Sequence, residues 1–320
     1  MIKLLSIVVP FHNEAAGIQA FAAALLPALE VVPDTCWEIV CVDDGSKDST
    51  LLQLVALAQT DPRFRILEFS RNFGKEAALT AGIDAAKGEA VIPIDADLQD
   101  PPELIVDMVQ AWRMGAEVVL ARRIDRSSDG LLKRKTAAWF YKLHNKLSEI
   151  KIPENVGDFR LMDRVVVDAL KLLPERQRFM KGLFAWVGFR TVTLEYTRPP
   201  RTAGDTKFSG IALWNFAIEG FTSFSTAPLK LWTYLGASSA ALTIIYVFYI
   251  IIRTLVFGNP VPGYASLFVA VAYFGSVQLI CMGLLGEYIG RIYMETKRRP
   301  PYLIRETYGG DDGAPPRPYQ

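Results

Sequence analysis

The sequence predicts an α/β domain on a mostly parallel sheet, followed by interfacial helices and two membrane-crossing helices. Three observations carry that expectation. Strand-like and helix-like apolar patterns alternate from Lys3 to about Ala121, which implies βαβ units with helices on both faces of a sheet. Three of the strand-like runs end in polar clusters, at the edge where open α/β sheets bind ligands. Two runs, Leu231–Ile252 and Gly263–Gly286, contain no Asp, Glu, Lys, Arg or His. Each exceeds the roughly 20 residues needed to cross a ~30 Å hydrocarbon core.

The elements follow in order. Leu4–Pro10 reads as a strand, and Glu14–Val31 as a helix with helical apolar spacing. Trp37–Val42 is a strand ending in Asp43-Asp44-Gly45-Ser46, after which Asp48 or Ser49 caps a helix running to Gln59. Arg65–Phe69 is a strand, Gly74–Ala86 a helix, Ala90–Ile94 a strand and Pro102–Met114 a helix. Glu117–Ala121 closes the series.

Chemistry concentrates at strand ends. The fourth strand runs into Asp95, Asp97, Gln99 and Asp100 within VIPIDADLQDPPE. Hard oxygens in this pattern suit Mg²⁺ or Mn²⁺, which use one or two carboxylates and take further ligands from phosphates and water. The first strand ends Pro10-Phe11-His12-Asn13-Glu14 and the second in Asp43-Asp44. One acidic strand end is explained by helix capping; three converging on one crevice point to a nucleotide diphosphate.

Bulk properties exclude other classes. A net charge of +1 supplies no field for nucleic acid. Cys36, Cys41 and Cys281 have no metal-ligand spacing and read as reduced thiols. Half the residues are apolar, and the excess lies in the C-terminal third.

From Lys133 onward the chain carries membrane-directed features. Lys133–Ser148 mixes Lys133, Arg134, Lys135, Lys142 and Lys146 with Trp139, Phe140 and Tyr141, as on a membrane-surface helix. Phe208–Pro228 reads as interfacial helices. The loop Phe257–Pro262 lacks Lys and Arg, whereas Arg291, Lys297, Arg298, Arg299 and Arg305 follow the second run. The positive-inside rule therefore places the catalytic domain and both termini in the cytosol. The expected division is 1–205 catalytic, with a surface helix over 133–148, then 206–229 interfacial, 230–290 membrane and 291–320 tail. The tail's Gly/Pro-rich end is expected to be disordered. Gly283, Gly286 and Gly290 offer a small-residue face for a homo-oligomer.

The segments VVPFHNE, VDDGSKDST, SRNFGKEAAL, DADLQDPPE, GDFRLMDR and ERQRFMKG resemble the family-2 inverting glycosyltransferases. The likeness is to their polyprenyl-phosphate branch, which holds the bactoprenol glucosyltransferases and relatives of dolichol-phosphate mannose synthase. It runs from about Leu5 to Tyr302. It implies a GT-A fold, a nucleotide-sugar donor, a divalent metal and a polyprenyl-phosphate acceptor at the bacterial inner membrane. It implies Asp97 and Gln99 at the metal, with Asp95 near the nucleotide and sugar. Pro10, Asn13, Glu14 and Asp43 match nucleotide-binding positions, and Asp44 competes with Asp43 for that role. Arg71 and Lys75 stand where the family places basic groups near the donor. Arg123, Arg126 and Arg134 fit the acceptor phosphate. Asp158 and Arg160 lie in the catalytic region, with Asp158 either a base or a sugar-binding group.

UDP-glucose and undecaprenyl phosphate are the expected substrates, with GDP-mannose or a UDP-N-acetylhexosamine as alternative donors. A non-catalytic membrane scaffold or lipid-translocation partner is the alternative from another class; the intact Asp95, Asp97 and Gln99 argue against it. The segment Gln110–Met114 imitates a Gln-x-x-Arg-Trp signature of processive synthases. It ends in Met and lies on the helix just after the Asp-x-Asp element, so it is set aside.

Overall fold

The computed structural model describes residues 2–124, 156–176, 178–197 and 263–310, together with scattered helical positions between 238 and 257; some side chains between 264 and 291 are not described. Among the described residues eight strands form one sheet: β1 (Lys3–Phe11), β2 (Thr35–Asp43), β3 (Phe64–Phe69), β4 (Ala90–Pro93), β5 (Val118–Arg123), β6 (Val156–Asp163), β7 (Thr191–Tyr196) and β8 (Ile304–Tyr308). The helices whose bounds lie within the described residues are α1 (Ile18–Glu30), α2 (Thr50–Thr60), α3 (Lys75–Ala85), α4 (Leu104–Arg113), α5 (Arg164–Lys171), α6 (Met180–Trp186) and α7 (Tyr264–Thr296). The strand order is β7-β5-β6-β4-β1-β2-β3-β8.

Alternation along the strands splits the core in two. Leu5, Ile7, Val9 and Phe11 of β1 face one layer, with α1, α2 and α4. Val8 of β1, with Val40 and Val42 of β2, faces the other, with α3, α5 and α6. Successive strand side chains point to opposite faces, so both faces must be covered.

The expected α/β architecture is present, as a mixed sheet. β1 pairs in parallel with β2 and β4, and β2 with β3. β6 runs antiparallel between β4 and β5, and β8 antiparallel beside β3. β6 was not expected as a strand. Its burial does not alternate, since Phe159, Arg160, Leu161 and Met162 are all buried, so it carries no period-2 signal. β8 lies within the stretch expected to be a separate tail, and Tyr302 just before it is buried against the catalytic sheet.

The first helix begins four residues later than the pattern suggested. The backbone N–H groups of Asn13, Glu14 and Ala15 donate to Ser46 Oγ, Thr50 Oγ1 and Asp48 Oδ2, which holds the chain out of helical geometry. Of the two capping candidates, Ser49 occupies the N-cap position of α2 while Asp48 accepts from Thr50 N. The set-aside segment Gln110–Met114 is structural: Trp112 donates to Asp163 and Arg113 to the Pro33 carbonyl.

Helix α3 lies directly on β1 because Gly82 has no side chain. A Cβ there would meet Val8 Cγ1 at 2.2 Å. Gly82→Ala is therefore expected to destabilise the domain by about 1–3 kcal/mol through overpacking. A thermal midpoint equal to wild type would show that the helix shifts freely.

The 33 residues of α7 span about 50 Å at helical rise. Among the described residues, however, no helix is both long and apolar enough to cross a membrane. The first expected span, Leu231–Ile252, lies largely outside the described residues, as do the surface helix over 133–148, the interfacial helices and the tail after 310.

Candidate active site

Parallel pairing brings the ends of β1, β2 and β4 to one edge. Phe11 pairs with Asp43 in register, and Val8 pairs with Pro93. Asp44 N donates to the Phe11 carbonyl, so the two strand ends turn together. β6 runs the other way, so its first residues reach the same edge. That is how Gly157 and Asp158, distant in sequence, come beside Asp95.

Lys75, the first residue of α3, lies at the centre. Its Nζ is 2.7 Å from Asp95 Oδ1 and 2.8 Å from Asp158 Oδ2. The lysine side chain is 46% exposed and Asp158 only 12%. Burial works against charge on both. For Lys75 the two carboxylates outweigh it and hold the ammonium above its ordinary value. For Asp158, burial is outweighed by Lys75, Lys181 and Arg160, and its pKa is pushed down to about 2. Asp158 Oδ1 is buried without a hydrogen-bond partner among the described residues.

Arg160 is buried and its guanidinium lies 4.0 Å over the Phe184 ring. It donates to the Gly157 carbonyl at 2.7 Å. Burial pushes its pKa down to about 10, against the pull of Asp158.

The Asp43-Asp44 doublet divides into two roles. Both oxygens of Asp44 accept backbone N–H groups, from Phe73 at 2.6 Å and Gly74 at 2.9 Å. Asp44 thus pins the loop carrying Arg71 to the end of β2. Gly45, at φ +62°, lies under the same loop, and a Cβ there would fall 2.5 Å from the Arg71 and Asn72 backbone. Asp43 accepts from Ser46 N through Oδ2, and its buried Oδ1 has no hydrogen-bond partner among the described residues. Burial raises the pKa of both carboxyls.

The first strand's end is tied into the same loops. Asn13 adopts φ 54° and its Oδ1 accepts from Lys47 N at 2.8 Å. His12 Nδ1 lies 2.8 Å from the Asp44 carbonyl, and Asn13 Nδ2 lies 3.0 Å from His12 Nε2. Glu14 is held by its backbone to Thr50, and Pro10 pairs with Val42. Asp97 Oδ1 accepts from Gln99 N at 3.1 Å across Leu98, which sits at φ 54°. Arg71 is exposed and lies over the Phe73 ring. Arg123 ends β5 opposite Tyr196. Arg126 and Arg134 lie outside the described residues.

Two charged groups join the cluster without having been anticipated. Glu76 Oε2 accepts from Met180 N at 3.0 Å, and burial followed by the nearby Asp158 charge raises its pKa to about 7. Lys181 supports the Asp158 charge. Lys181 lies within the ERQRFMKG segment, but nothing local in that segment says which carboxylate it faces.

Among the described residues, no three His, Cys, Asp or Glu side chains form a ready metal cage. Both Asp95 oxygens lie against the Lys75 ammonium, at 2.7 and 2.8 Å, so the expected metal pair is left to Asp97 and Gln99, oxygen donors of the kind a cation uses when phosphate and water complete its shell.

Residues 6–171 match the family described as Glycosyl transferase family 2, and residues 227–292 match the GtrB C-terminal hairpin. The SfII prophage-derived bactoprenol glucosyl transferase of Shigella flexneri is 56% identical over 96% of this chain and 99% of its own length. The bactoprenol glucosyl transferase of Shigella phage SfV is 57% identical over 94% of this chain and 98% of that protein. The crystal structure of glucosyl-3-phosphoglycerate synthase from Mycobacterium tuberculosis overlaps with a TM-score of 0.43 at 18% identity, over 68% of this chain and 76% of that one. The first match takes in α1 to α4 and the whole acidic edge, and the two curated relatives extend the likeness almost from end to end. The chain belongs to glycosyl transferase family 2.

Proposed function

We propose that this protein transfers glucose from UDP-glucose to undecaprenyl phosphate, with inversion, at the cytosolic face of a bacterial inner membrane. The observation that carries this reading is the Lys75-bridged pair Asp95 and Asp158 beside Asp97, at the sheet edge where a sugar diphosphate would lie. The relatives' names supply the sugar and lipid classes.

In this reading the orphaned Asp43 Oδ1 accepts from the nucleotide base, while Pro10, Asn13 and Glu14 frame its pocket. Arg71 faces the donor. Asp97 and Gln99 would hold Mg²⁺ or Mn²⁺, which when bound neutralises charge on the leaving diphosphate. An acceptor phosphate oxygen attacks the anomeric carbon as its bond to the UDP oxygen breaks, and UDP leaves. A phosphate monoester with a second pKa of about 6 is already largely dianionic at neutral pH. Asp158, with a pKa of about 2, has little affinity for a proton. It therefore orients the sugar while Lys75 holds it ionised. Arg123, Arg126 and Arg134 receive the lipid phosphate.

Two spans at Leu231–Ile252 and Gly263–Gly286 complete the proposal. On α7, Leu267, Val271, Leu279, Leu285 and Ile289 are each at least half exposed, a face that a bilayer would cover. β8 pairs with β3, so the chain must recross any membrane an even number of times before Ile304. Chains would associate through the small face at Gly283, Gly286 and Gly290. Anchoring the domain there raises the effective concentration of the lipid acceptor.

The test incubates the purified full chain with undecaprenyl phosphate and labelled UDP-glucose, GDP-mannose or UDP-GlcNAc, with Mg²⁺ or with EDTA. Label should enter the lipid fraction from UDP-glucose with Mg²⁺ and fall to background with EDTA. Absence of lipid label from every donor would overturn the enzyme assignment.

A further inference from the structure

The segment after α7 folds back onto the loop that carries Arg71. Arg176 N donates to the Glu295 carboxylate and its guanidinium to the Arg299 carbonyl at 2.6 Å, which holds the end of α7 against the catalytic domain. Beyond it the Tyr302 ring stacks on Phe69, with centroids 5.3 Å apart and planes 8° from parallel. Phe73 meets Phe69 edge-on at 5.6 Å and 87°. The Arg71 guanidinium carbon lies 4.2 Å over the Phe73 ring. The Leu303 carbonyl accepts from Ser70 N at 3.0 Å, and Tyr302 donates from its hydroxyl to Asp84 at the far end of α3.

The stack runs from core to surface. Tyr302 and Phe69 are buried, Phe73 is half-buried and Arg71 is exposed. Residues 70–74 belong to no helix or strand, so Arg71 depends on its neighbours for its place. Asp44 fixes the loop's backbone from one side. The rings fix its side chains from the other.

We infer that Tyr302 is a positioning residue for Arg71, acting through Phe69 and Phe73, so that the segment following the C-terminal helix sets affinity for the nucleotide donor. This rests on the proposed reading that Arg71 faces the donor.

The test uses the purified full chain, with UDP binding measured by calorimetry and turnover measured against UDP-glucose. Loss of a stacked pair predicts a rise of about 5–10-fold in both the UDP Kd and the UDP-glucose KM for Tyr302→Ala, with kcat within about twofold of wild type. Tyr302→Phe, which keeps the ring, should restore affinity to within about twofold. In an Arg71→Ala background, Tyr302→Ala should weaken UDP binding no further. If Tyr302→Ala fails to fold, Tyr302→Leu fills the space without a stacking ring and is read against Tyr302→Phe in the same way. Unchanged UDP affinity in the ring-less variants, or an equal loss with and without Arg71, would overturn the positioning role and leave the functional reading intact. Failure of the wild type to bind UDP would instead overturn the functional reading and this inference with it.

Discussion

Lys75→Ala is expected to lower kcat by about 10²–10³-fold, the range seen when a preorganised charged or hydrogen-bonding group is removed from a reaction site. The lysine is the counter-ion shared by Asp95 and Asp158. Without it, Lys181 and Arg160 are left to oppose the burial of Asp158, and its pKa climbs from about 2. The sign of the pH effect follows. In the wild type the folded pKa lies below the ordinary carboxylate value of 3.8, so Asp158 contributes stability above about pH 4 that is lost as pH falls toward 2. In the variant that contribution shrinks, and loss of activity on acidification should begin at higher pH. Steady-state rates from pH 4 to 8 check both parts. A variant with kcat within threefold of wild type would remove Lys75 from the chemistry.

Glu76→Gln is expected to stabilise the protein above neutral pH. The carboxyl of Glu76 is raised from 4.5 to about 7 by burial and by Asp158. The unfolded chain therefore ionises first, and the wild type loses stability as pH rises from about 4.5, levelling off above about 7. A shift of this size corresponds to about 3 kcal/mol. The glutamine carbonyl still accepts from Met180 N, so the tie between α3 and α6 survives. Thermal unfolding should show the wild-type midpoint falling relative to the variant between pH 5 and 8, by on the order of 5–10 °C. Parallel midpoints across that range would mean that Glu76 is ionised in the folded protein.

The first half of the sheet is legible from local pattern because its strands are short apolar runs, buried on both faces, that alternate with helices of helical apolar spacing. The expected strands at Leu4–Pro10, Trp37–Val42, Arg65–Phe69, Ala90–Ile94 and Glu117–Ala121 overlap β1 to β5. The later strands are not legible in this way. In β6 Gly157, Asp158 and Arg160 break the apolar run, β7 lies largely exposed at the edge of the sheet, and β8 is separated from its partner β3 by more than 200 residues. Strand pairing across such distances leaves no periodic trace in either segment.

By itself the sequence determined the alternating α/β plan, the oxygen-rich ends of three strands and the charge-free runs, because periodicity and composition are local properties. Family resemblance added Asp158 to that set without saying what it touches. Only the tertiary structure decided that Asp158 shares Lys75 with Asp95, because an antiparallel strand had to be inserted between β4 and β5 to bring it there. Only the structure separated Asp44, whose carboxylate accepts from the Phe73 and Gly74 amides, from Asp43, whose Oδ1 finds no partner among the described residues. Hydrogen bonds and ion pairs act over about 3 Å, and the chain that brings their partners together can be of any length.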